Sequence, residues 1–224
     1  MDQSEINSIS DFNKKLKDLW VGDRYFLFRG EASTTYLLRP KYGRAQANYQ
    51  KNDLPNELKI LDEFKRRAAP MTVQDPQNDW EWLALAQHFG LATRLLDWTE
   101  NPLVGFYFAI TDWKKKWNRT VYVLDGDRVE EADEKLSPFE IENVVLYRPK
   151  HIAPRITAQG GVFTVHPKPS NPFVDDCVQK WIIKDTFLHE MFGMLTSYGI
   201  NDASVFPDLD GLARYLNQTY LYER

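Results

Sequence analysis

Residues 87–113 read QHFGLATRLLDWTENPLVGFYFAITDW, a stretch in which one predicted helix ends, a short strand follows and a second helix begins. Gly90 suits the position just after a helix, because glycine readily adopts the left-handed backbone found there. Asn101 and Pro102 are residue types typical of an N-cap and of the first helical position. Apolar residues then recur at helical spacing up to Trp113. The stretch therefore predicts a helix–strand–helix unit with polar residues at its junctions.

Outside this stretch, predicted helices and strands are mixed along the chain. Apolar periodicity predicts helices over residues 10–20, 54–69, 79–90 and 186–197, and a terminal helix from Pro207. Short apolar runs predict strands over residues 24–29, 120–124, 144–147, 156–165 and 181–183. Because the strands do not alternate regularly with helices, the pattern favours an α+β fold over a doubly wound sheet.

Composition limits the kind of protein. The chain has 224 residues and a net charge of −4, which fits one domain without a global field that attracts nucleic acid. Cys177 is the single cysteine, which excludes an internal disulfide and a cysteine-based zinc site. No run approaches the roughly 18 apolar residues that a membrane-spanning helix needs, and the first residues lack the features of a signal peptide. We therefore expect a cytoplasmic protein with no membrane partner.

Three segments contain residue types that could bind a ligand, in contrast to an ordinary apolar core. In residues 28–31, a strand ends in Arg29 followed by Gly30, which pairs a planar fork of donors for phosphate or carboxylate with room for close approach. The structural alternative is a salt bridge from Arg29 to Glu31 or to a distant acid. Residues 87–99 combine His, Arg, Asp, Thr and Trp, as a small-molecule pocket would. Their alternative is a polar network that fixes the turn, with Asp97 paired to Arg94.

The third segment is residues 155–164, in which Gly160 and Gly161 interrupt a predicted strand. Paired glycines in a strand indicate a bulge or a close backbone approach. Gln159 beside them has two interpretations: it binds a ligand hydroxyl, or it satisfies an irregular backbone.

These segments resemble the FRG domain family. The shared motifs are FRG at 28–30, HFGLATRLLDWT at 88–99 followed by NP at 101–102, FYFA at 106–109, AQGGVF at 158–163 and FPDLDGLA at 206–213. The resemblance covers about residues 20–216 and implies a single FRG domain over residues 1–224. It also suggests an intracellular toxin or anti-phage (phage defence) effector.

A second resemblance, to ADP-ribosyltransferases, implies a mixed, mainly antiparallel sheet core with flanking helices and a site that binds NAD as substrate. Arg29-Gly30 is similar to the early strand whose arginine holds the dinucleotide phosphates, Thr99 to a later hydroxyl residue, and Gln159 lies where a late glutamate is expected. The implied catalytic residues are Arg29, Asp97, Thr99 and Gln159. The implied NAD-binding residues are Arg29, Gly30, His88, Thr93, Arg94, Trp98 and Phe163, with Trp98 or Phe163 stacking on nicotinamide.

The chain departs from that pattern at the late strand. Gln159 is neutral and Gly161 stands where an acid is expected, although cleavage of the nicotinamide bond develops positive charge. The departure leaves three interpretations open: Asp97, Glu31 or Glu190 supplies the negative charge, turnover is slow, or the scaffold only binds. The activity would be ADP-ribose transfer to a macromolecule, a glycosyl transfer, or NAD hydrolysis. The alternative function is a non-catalytic module that binds nucleotide, nucleic acid or protein.

The chain also contains a basic segment after Arg29, four histidines and one cysteine. Arg39, Lys41 and Arg44 lie with tyrosines in a predicted loop just after Arg29, which makes them the best candidates for a contact with nucleic acid phosphates. The four histidines are scattered without the spacing of metal ligands, so no metal site is predicted. Acidic neighbours of Cys177 are expected to raise the pKa of its thiol, which makes it a poor nucleophile.

Overall fold

The computed structural model describes residues 2–20, 22–48, 56–72, 76–111, 114–149 and 158–222. They form a seven-stranded open sheet with helices packed on it, which confirms the α+β prediction. The strands, in chain order, are β1 Asp2–Ile6, β2 Phe26–Glu31, β3 Leu95–Thr99, β4 Arg119–Asp125, β5 Val145–Tyr147, β6 Gly161–Val165 and β7 Val178–Ile183. Their order across the sheet is β1-β7-β4-β2-β3-β6-β5. Only β1 and β7 pair in parallel among these strands, so the sheet is mixed and mainly antiparallel.

Eight α-helices are described. They are α1 Ile9–Leu19, α2 Lys41–Asn48, α3 Glu57–Ala68, α4 Asp79–His88, α5 Pro102–Ile110, α6 Leu188–Ser197, α7 Asp202–Val205 and α8 Leu209–Asn217. The predicted caps are present at α5, where the Asn101 side chain accepts a hydrogen bond from the amide of Leu103 and Pro102 opens the helix. No helix in the described ranges is long and apolar enough to cross a membrane.

Some elements differ from the sequence prediction. The strand predicted over residues 156–165 is shorter: residues 158–159 are helical, Gly160 has a positive φ of 54°, and β6 begins at Gly161. The first part of that prediction, and Arg155, lie outside the described residues. β1 and α2 were not predicted, because DQSEI is too polar to show a buried strand and KYGRAQAN has a glycine within a short basic run.

Two groups of helices cover one face of the sheet. α1, α5 and α6 pack on β2, β4 and β7 around Phe12, Phe106 and Trp181, while α3 and α4 pack on β3, β5 and β6 around Leu61 and Trp80. Each such buried side chain contributes roughly 1.5–3 kcal/mol of transfer free energy. The two helix groups meet above the junction of β2 and β3, at the centre of the sheet.

Candidate functional site

A cavity of about 420 Å³ lies between α4 and α5, where β2 and β3 diverge. The ladder between these two described strands records one pair, Phe28 with Thr99, whereas β2 pairs with β4 along its whole length. Beyond Phe28, Nη1 of Arg29 donates to the carbonyl oxygen of Asp97 at 2.8 Å. A side chain therefore takes the place of a backbone partner, and the sheet opens at its centre.

The cavity brings together most of the residues that the sequence singled out. Among the predicted site residues, the lining includes Arg29, Gly30, His88, Asp97, Trp98, Thr99, Gln159 and Phe163. Thr93 and Arg94 are not among its lining residues. Glu31 also lines it and Glu190 does not, so two of the three carboxylates considered from the sequence face this space.

Arg29 is the centre of a charged network. Its Nε donates to Oε1 of Glu31 at 2.9 Å, Nη2 lies 2.8 Å from the same oxygen, and Nη1 lies 3.5 Å from Oδ2 of Asp97. Burial alone would lower the pKa of the Arg29 guanidinium, but the two carboxylates outweigh it and raise that pKa. The bond to Glu31 is the structural alternative that the sequence left open. One cation thus lies between two carboxylates, and its Nε, Nη1 and Nη2 each contact an acceptor.

Asp97 is oriented by a residue to which the sequence assigned no role. Nε2 of Gln87 donates to Oδ2 of Asp97 at 2.8 Å, and the Thr93 hydroxyl donates to Oε1 of Gln87 at 2.7 Å. Thr93 is fully buried, whereas the Asp97 side chain is 57% exposed. Thr93 therefore acts behind the cavity by fixing Gln87, and Asp97 presents an accessible carboxylate. The position of Gln87 at the end of α4, immediately before His88, was the available sequence signal.

Thr99 and Gln159 join β3 to the turn before β6. The Thr99 hydroxyl donates to the carbonyl oxygen of Gln159 at 2.5 Å and accepts from the amide of Asn101 at 3.1 Å. Nε2 of Gln159 donates to the carbonyl oxygen of Val205 at 3.2 Å. Among the described residues, no donor contacts Oε1 of Gln159, so this oxygen is available to a ligand hydroxyl. Both side chains already have structural hydrogen bonds.

The aromatic wall of the cavity is mostly not the one that the sequence suggested. Trp98 is 2% exposed; its ring belongs to the core on the opposite face of the sheet, and its Nε1 donates to the Thr164 hydroxyl at 2.9 Å. Phe163 lies on the cavity side but is also a buried core residue. The more accessible rings in the lining are Tyr36, which is exposed, and the half-buried Phe108 and Phe206, which meet edge to face with centroids 6.0 Å apart. The guanidinium of Arg214 lies 4.7 Å from the centroid of the Phe206 ring. Phe108 and Phe206 both lie in motifs on which the resemblance to the FRG family was based, FYFA and FPDLDGLA.

Gly30 lines the cavity, and the packing of α5 on β2 also requires a glycine at this position. A Cβ built on it would lie 2.1 Å from the carbonyl oxygen of Gly105 and 2.3 Å from the amide nitrogen of Ala109, both backbone atoms of α5. The close approach that the sequence predicted is therefore made by a helix of the same chain. This contact lays α5 on β2 and places Phe108 at the cavity.

Arg94 lies away from the cavity, in an ion pair of its own. Its Nε donates to Oε2 of Glu57 at 2.9 Å, its backbone amide donates to Oε1 at 2.6 Å, and Nη1 donates to the carbonyl oxygen of Pro138 at 3.0 Å. The guanidinium also stacks 4.5 Å from the ring centroid of Phe139. The network that fixes the turn is thus real, but its acid is Glu57 rather than Asp97.

The remaining candidates are a basic group and the cysteine. Lys41 and Arg44, which belong to α2 and not to a loop, line a second cavity of about 210 Å³ that shares Arg29, Gln87 and Asp97 with the first. Arg39 precedes them, and its carbonyl oxygen accepts from Arg44. Burial, and then a hydrogen bond to Asp175, raise the pKa of the Cys177 thiol to about 12, as its acidic neighbours predicted. No metal-binding cluster of three or more His, Cys, Asp or Glu is found within the described ranges.

Comparison with known proteins gives one family match. The model of the FRG domain matches residues 24–118, a range that includes Arg29 and Asp97 and ends before Gln159. No significant match was found among curated proteins or among solved structures. The ADP-ribosyltransferase-like fold and the NAD site therefore stay predictions.

Proposed function

The chain contains an FRG domain, and we propose that the cavity of this domain binds NAD and cleaves the bond between nicotinamide and ribose. The single observation that carries the proposal is the Arg29–Glu31–Asp97 network beside two partly exposed rings in one cavity. A cavity of about 420 Å³ is within the usual range of small-molecule sites, which is roughly 300–1,000 Å³. ADP-ribose would pass to a macromolecule or to water. Loss of NAD would explain a role as a toxin or anti-phage effector.

The charge of the cavity fits the nicotinamide end of NAD. The nicotinamide ring of NAD is a cation, and cations are attracted both to carboxylates and to aromatic faces. The network offers one guanidinium against two carboxylates, and Phe108 supplies a ring for the cation, whereas the Phe206 ring beside it already contacts the guanidinium of Arg214. A phosphate at the same place would meet Glu31 and Asp97. We therefore assign Arg29 to holding these carboxylates in place, rather than to clamping the pyrophosphate.

The reaction needs negative charge where positive charge develops. As the C1′–N bond breaks, its electron pair leaves with neutral nicotinamide, and the ribose ring becomes a cation of the oxocarbenium type. Asp97, accessible and oriented by Gln87, would stabilise this cation in place of the glutamate missing at Gln159. The oxygen or nitrogen of the acceptor then bonds to C1′ and loses its proton to a cavity carboxylate or water. Oε1 of Gln159 would orient a ribose hydroxyl.

A second candidate function rests on the late strand. Gln159 is neutral and its amide is bound to the backbone of Val205, so the position where an ADP-ribosyltransferase would carry its acid has no charge. This observation favours a non-catalytic module that binds a nucleotide in the same cavity. The two functions differ only in whether bound NAD is cleaved.

The test is nicotinamide release from NAD by the purified protein. We expect release by the wild type, and a rate about 10²–10³ lower for Asp97→Asn, by analogy with the loss of one charge-stabilising group. Glu31→Gln should also lower the rate. Asp18→Asn removes the same charge on the exposed side of α1 and should release nicotinamide at the wild-type rate.

Three results decide between the functions. Release that depends on Asp97 supports cleavage. No release, combined with a rise in melting temperature on adding NAD that Asp97→Asn abolishes, supports the binding module. Neither release nor a rise in melting temperature overturns both functions.

A further inference from the structure

The second cavity adjoins the candidate site on the side of α2. Lys41 and Arg44 line it together with the end of α4 and the start of β3. Arg29, Gln87 and Asp97 line both cavities, so the two cavities are adjacent and this network lies between them. We call the two cavities the lobes of the candidate site.

The lobe at α2 contains two cations, Lys41 and Arg44, whose charge Glu31 and Asp97 offset only in part. Nζ of Lys41 donates to the carbonyl oxygen of Gly90 at 2.6 Å, and Nη1 of Arg44 donates to the carbonyl oxygen of Arg39 at 3.0 Å. Neither cation has a carboxylate within ion-pair distance among the described residues. Burial, followed by the charge of Arg29, lowers the pKa of Arg44, so an anion near this side chain would stabilise its charged form.

The cations lie on a firmly placed helix. The amide of Tyr42 donates to the carbonyl oxygen of Thr93 at 3.2 Å, and the Tyr42 ring is buried. At Gly43, an added Cβ would lie 1.6 Å from the carbonyl oxygen of Pro169, so α2 touches the loop after β6 at backbone distance. Lys41 and Arg44 therefore project from a supported element, which favours preorganised binding.

We propose that Lys41 and Arg44 form a diphosphate subsite that binds the pyrophosphate of a nucleoside diphosphate group. The inference rests on the proposed function for its identification of the ligand as part of NAD. The two lobes differ in charge: Glu31 and Asp97 line the first, whereas Lys41 and Arg44 add two cations to the second, which Arg29 and Asp97 also line. NAD has the same arrangement, with a cationic nicotinamide and an anionic pyrophosphate separated by one ribose. Because Nε, Nη1 and Nη2 of Arg29 each already contact an acceptor, we assign the phosphates to Lys41 and Arg44.

The experiment uses ADP as the probe, because ADP contains the diphosphate and lacks nicotinamide. Calorimetric titration would compare the wild type, the double variant Lys41→Gln/Arg44→Gln and the control Lys17→Gln, which removes a charge from exposed α1. We expect the double variant to bind ADP and NAD at least tenfold more weakly, since charge-assisted bonds to phosphate are strong. Nicotinamide riboside, which has no phosphate, should bind equally to all three proteins. Arg44→Lys, which keeps the charge, should retain most of the affinity for ADP.

The outcomes separate this inference from the proposed function. Binding of ADP that depends on Lys41 and Arg44 supports the subsite even if wild-type protein releases no nicotinamide. Equal binding of ADP by wild type and double variant overturns the subsite even if NAD is cleaved. The subsite is also overturned if the protein does not bind ADP but binds a single-stranded oligonucleotide through Lys41 and Arg44. That result would favour a nucleic acid contact. Circular dichroism of the double variant verifies its fold.

Discussion

Arg29 lies in β2 and Arg94 immediately precedes β3, the two strands that diverge at the cavity, yet their surroundings differ. Arg94 is enclosed with Glu57, and the side chains of the pair are 10% and 4% exposed. Arg29 is also mostly buried, but its second acid, Asp97, is 57% exposed. Both guanidinium groups donate to a carboxylate and to a backbone carbonyl oxygen. The comparison shows that a structural ion pair and an ion pair that borders a site differ in the exposure of the acidic side chain. The burial of the arginine itself does not distinguish them.

The largest effect is expected from breaking the enclosed pair. Arg94→Met leaves the Glu57 carboxylate buried without its cation and should lower the free energy of unfolding by about 3–5 kcal/mol. Urea denaturation followed by circular dichroism measures this change. Arg66→Met, the same substitution in the exposed pair with Glu63, is the matched control and should change stability little.

A double variant sharpens this first prediction. Replacing Glu57 as well, in Arg94→Met/Glu57→Leu, removes the unpaired charge and should recover much of the lost stability. If Arg94→Met were as stable as the wild type, the interpretation of this pair as a structural connection between α3, β3 and the loop at Pro138 would be wrong.

An intermediate effect is expected from His166, which both arginines influence. Burial, and then the charges of Arg29 and Arg94, lower the pKa of His166 from 6.5 to about 3. Between these two pH values the unfolded chain binds a proton that the folded chain does not, so stability falls as the pH drops below 6.5. The expected loss between pH 7 and pH 5 is about 2 kcal/mol from this group.

The measurement is urea denaturation at both pH values for the wild type and for His166→Gln. The substitution removes the titrating ring and keeps an acceptor for the Thr164 hydroxyl, whose oxygen lies 2.9 Å from Nε2 of His166. The variant should therefore lose less stability on acidification than the wild type. Equal losses in both proteins would mean that His166 does not titrate as its burial implies.

The smallest effect on stability is expected at Asp97. Its carboxylate is exposed and 3.5 Å from Arg29, so Asp97→Asn should change the free energy of unfolding by less than about 1 kcal/mol. Since the same substitution is expected to lower the rate of nicotinamide release about 10²–10³-fold, a stable variant with that loss of activity would sharpen the contrast with Arg94. A loss of stability as large as that of Arg94→Met would instead make the Arg29 network a structural one.

The sequence by itself determined where many of the helices lie, and it indicated many of the residues that line the candidate site. Apolar periodicity and caps located α1, α4, α5 and α6, and the motifs indicated Arg29, Asp97 and Gln159, which the fold brings to one cavity. These features are local, because a helix face or a strand end depends on neighbours within a few residues. β1 and α2 were not predicted, because both are short, polar segments whose positions depend on contacts with residues distant in the sequence.

Only the tertiary structure decided which side chains meet. Glu57 is 37 residues from Arg94, and Asp97 is 68 residues from Arg29, so no local pattern could assign these partners. It also buried the Trp98 ring in the core on the face of the sheet opposite α5, and brought Phe108 and Phe206 to the cavity wall. The strength of an ion pair depends on its distance and burial, and the packing of distant segments sets both. The sequence therefore determined which chemical groups are present, and the packing of distant segments determined which of these groups meet.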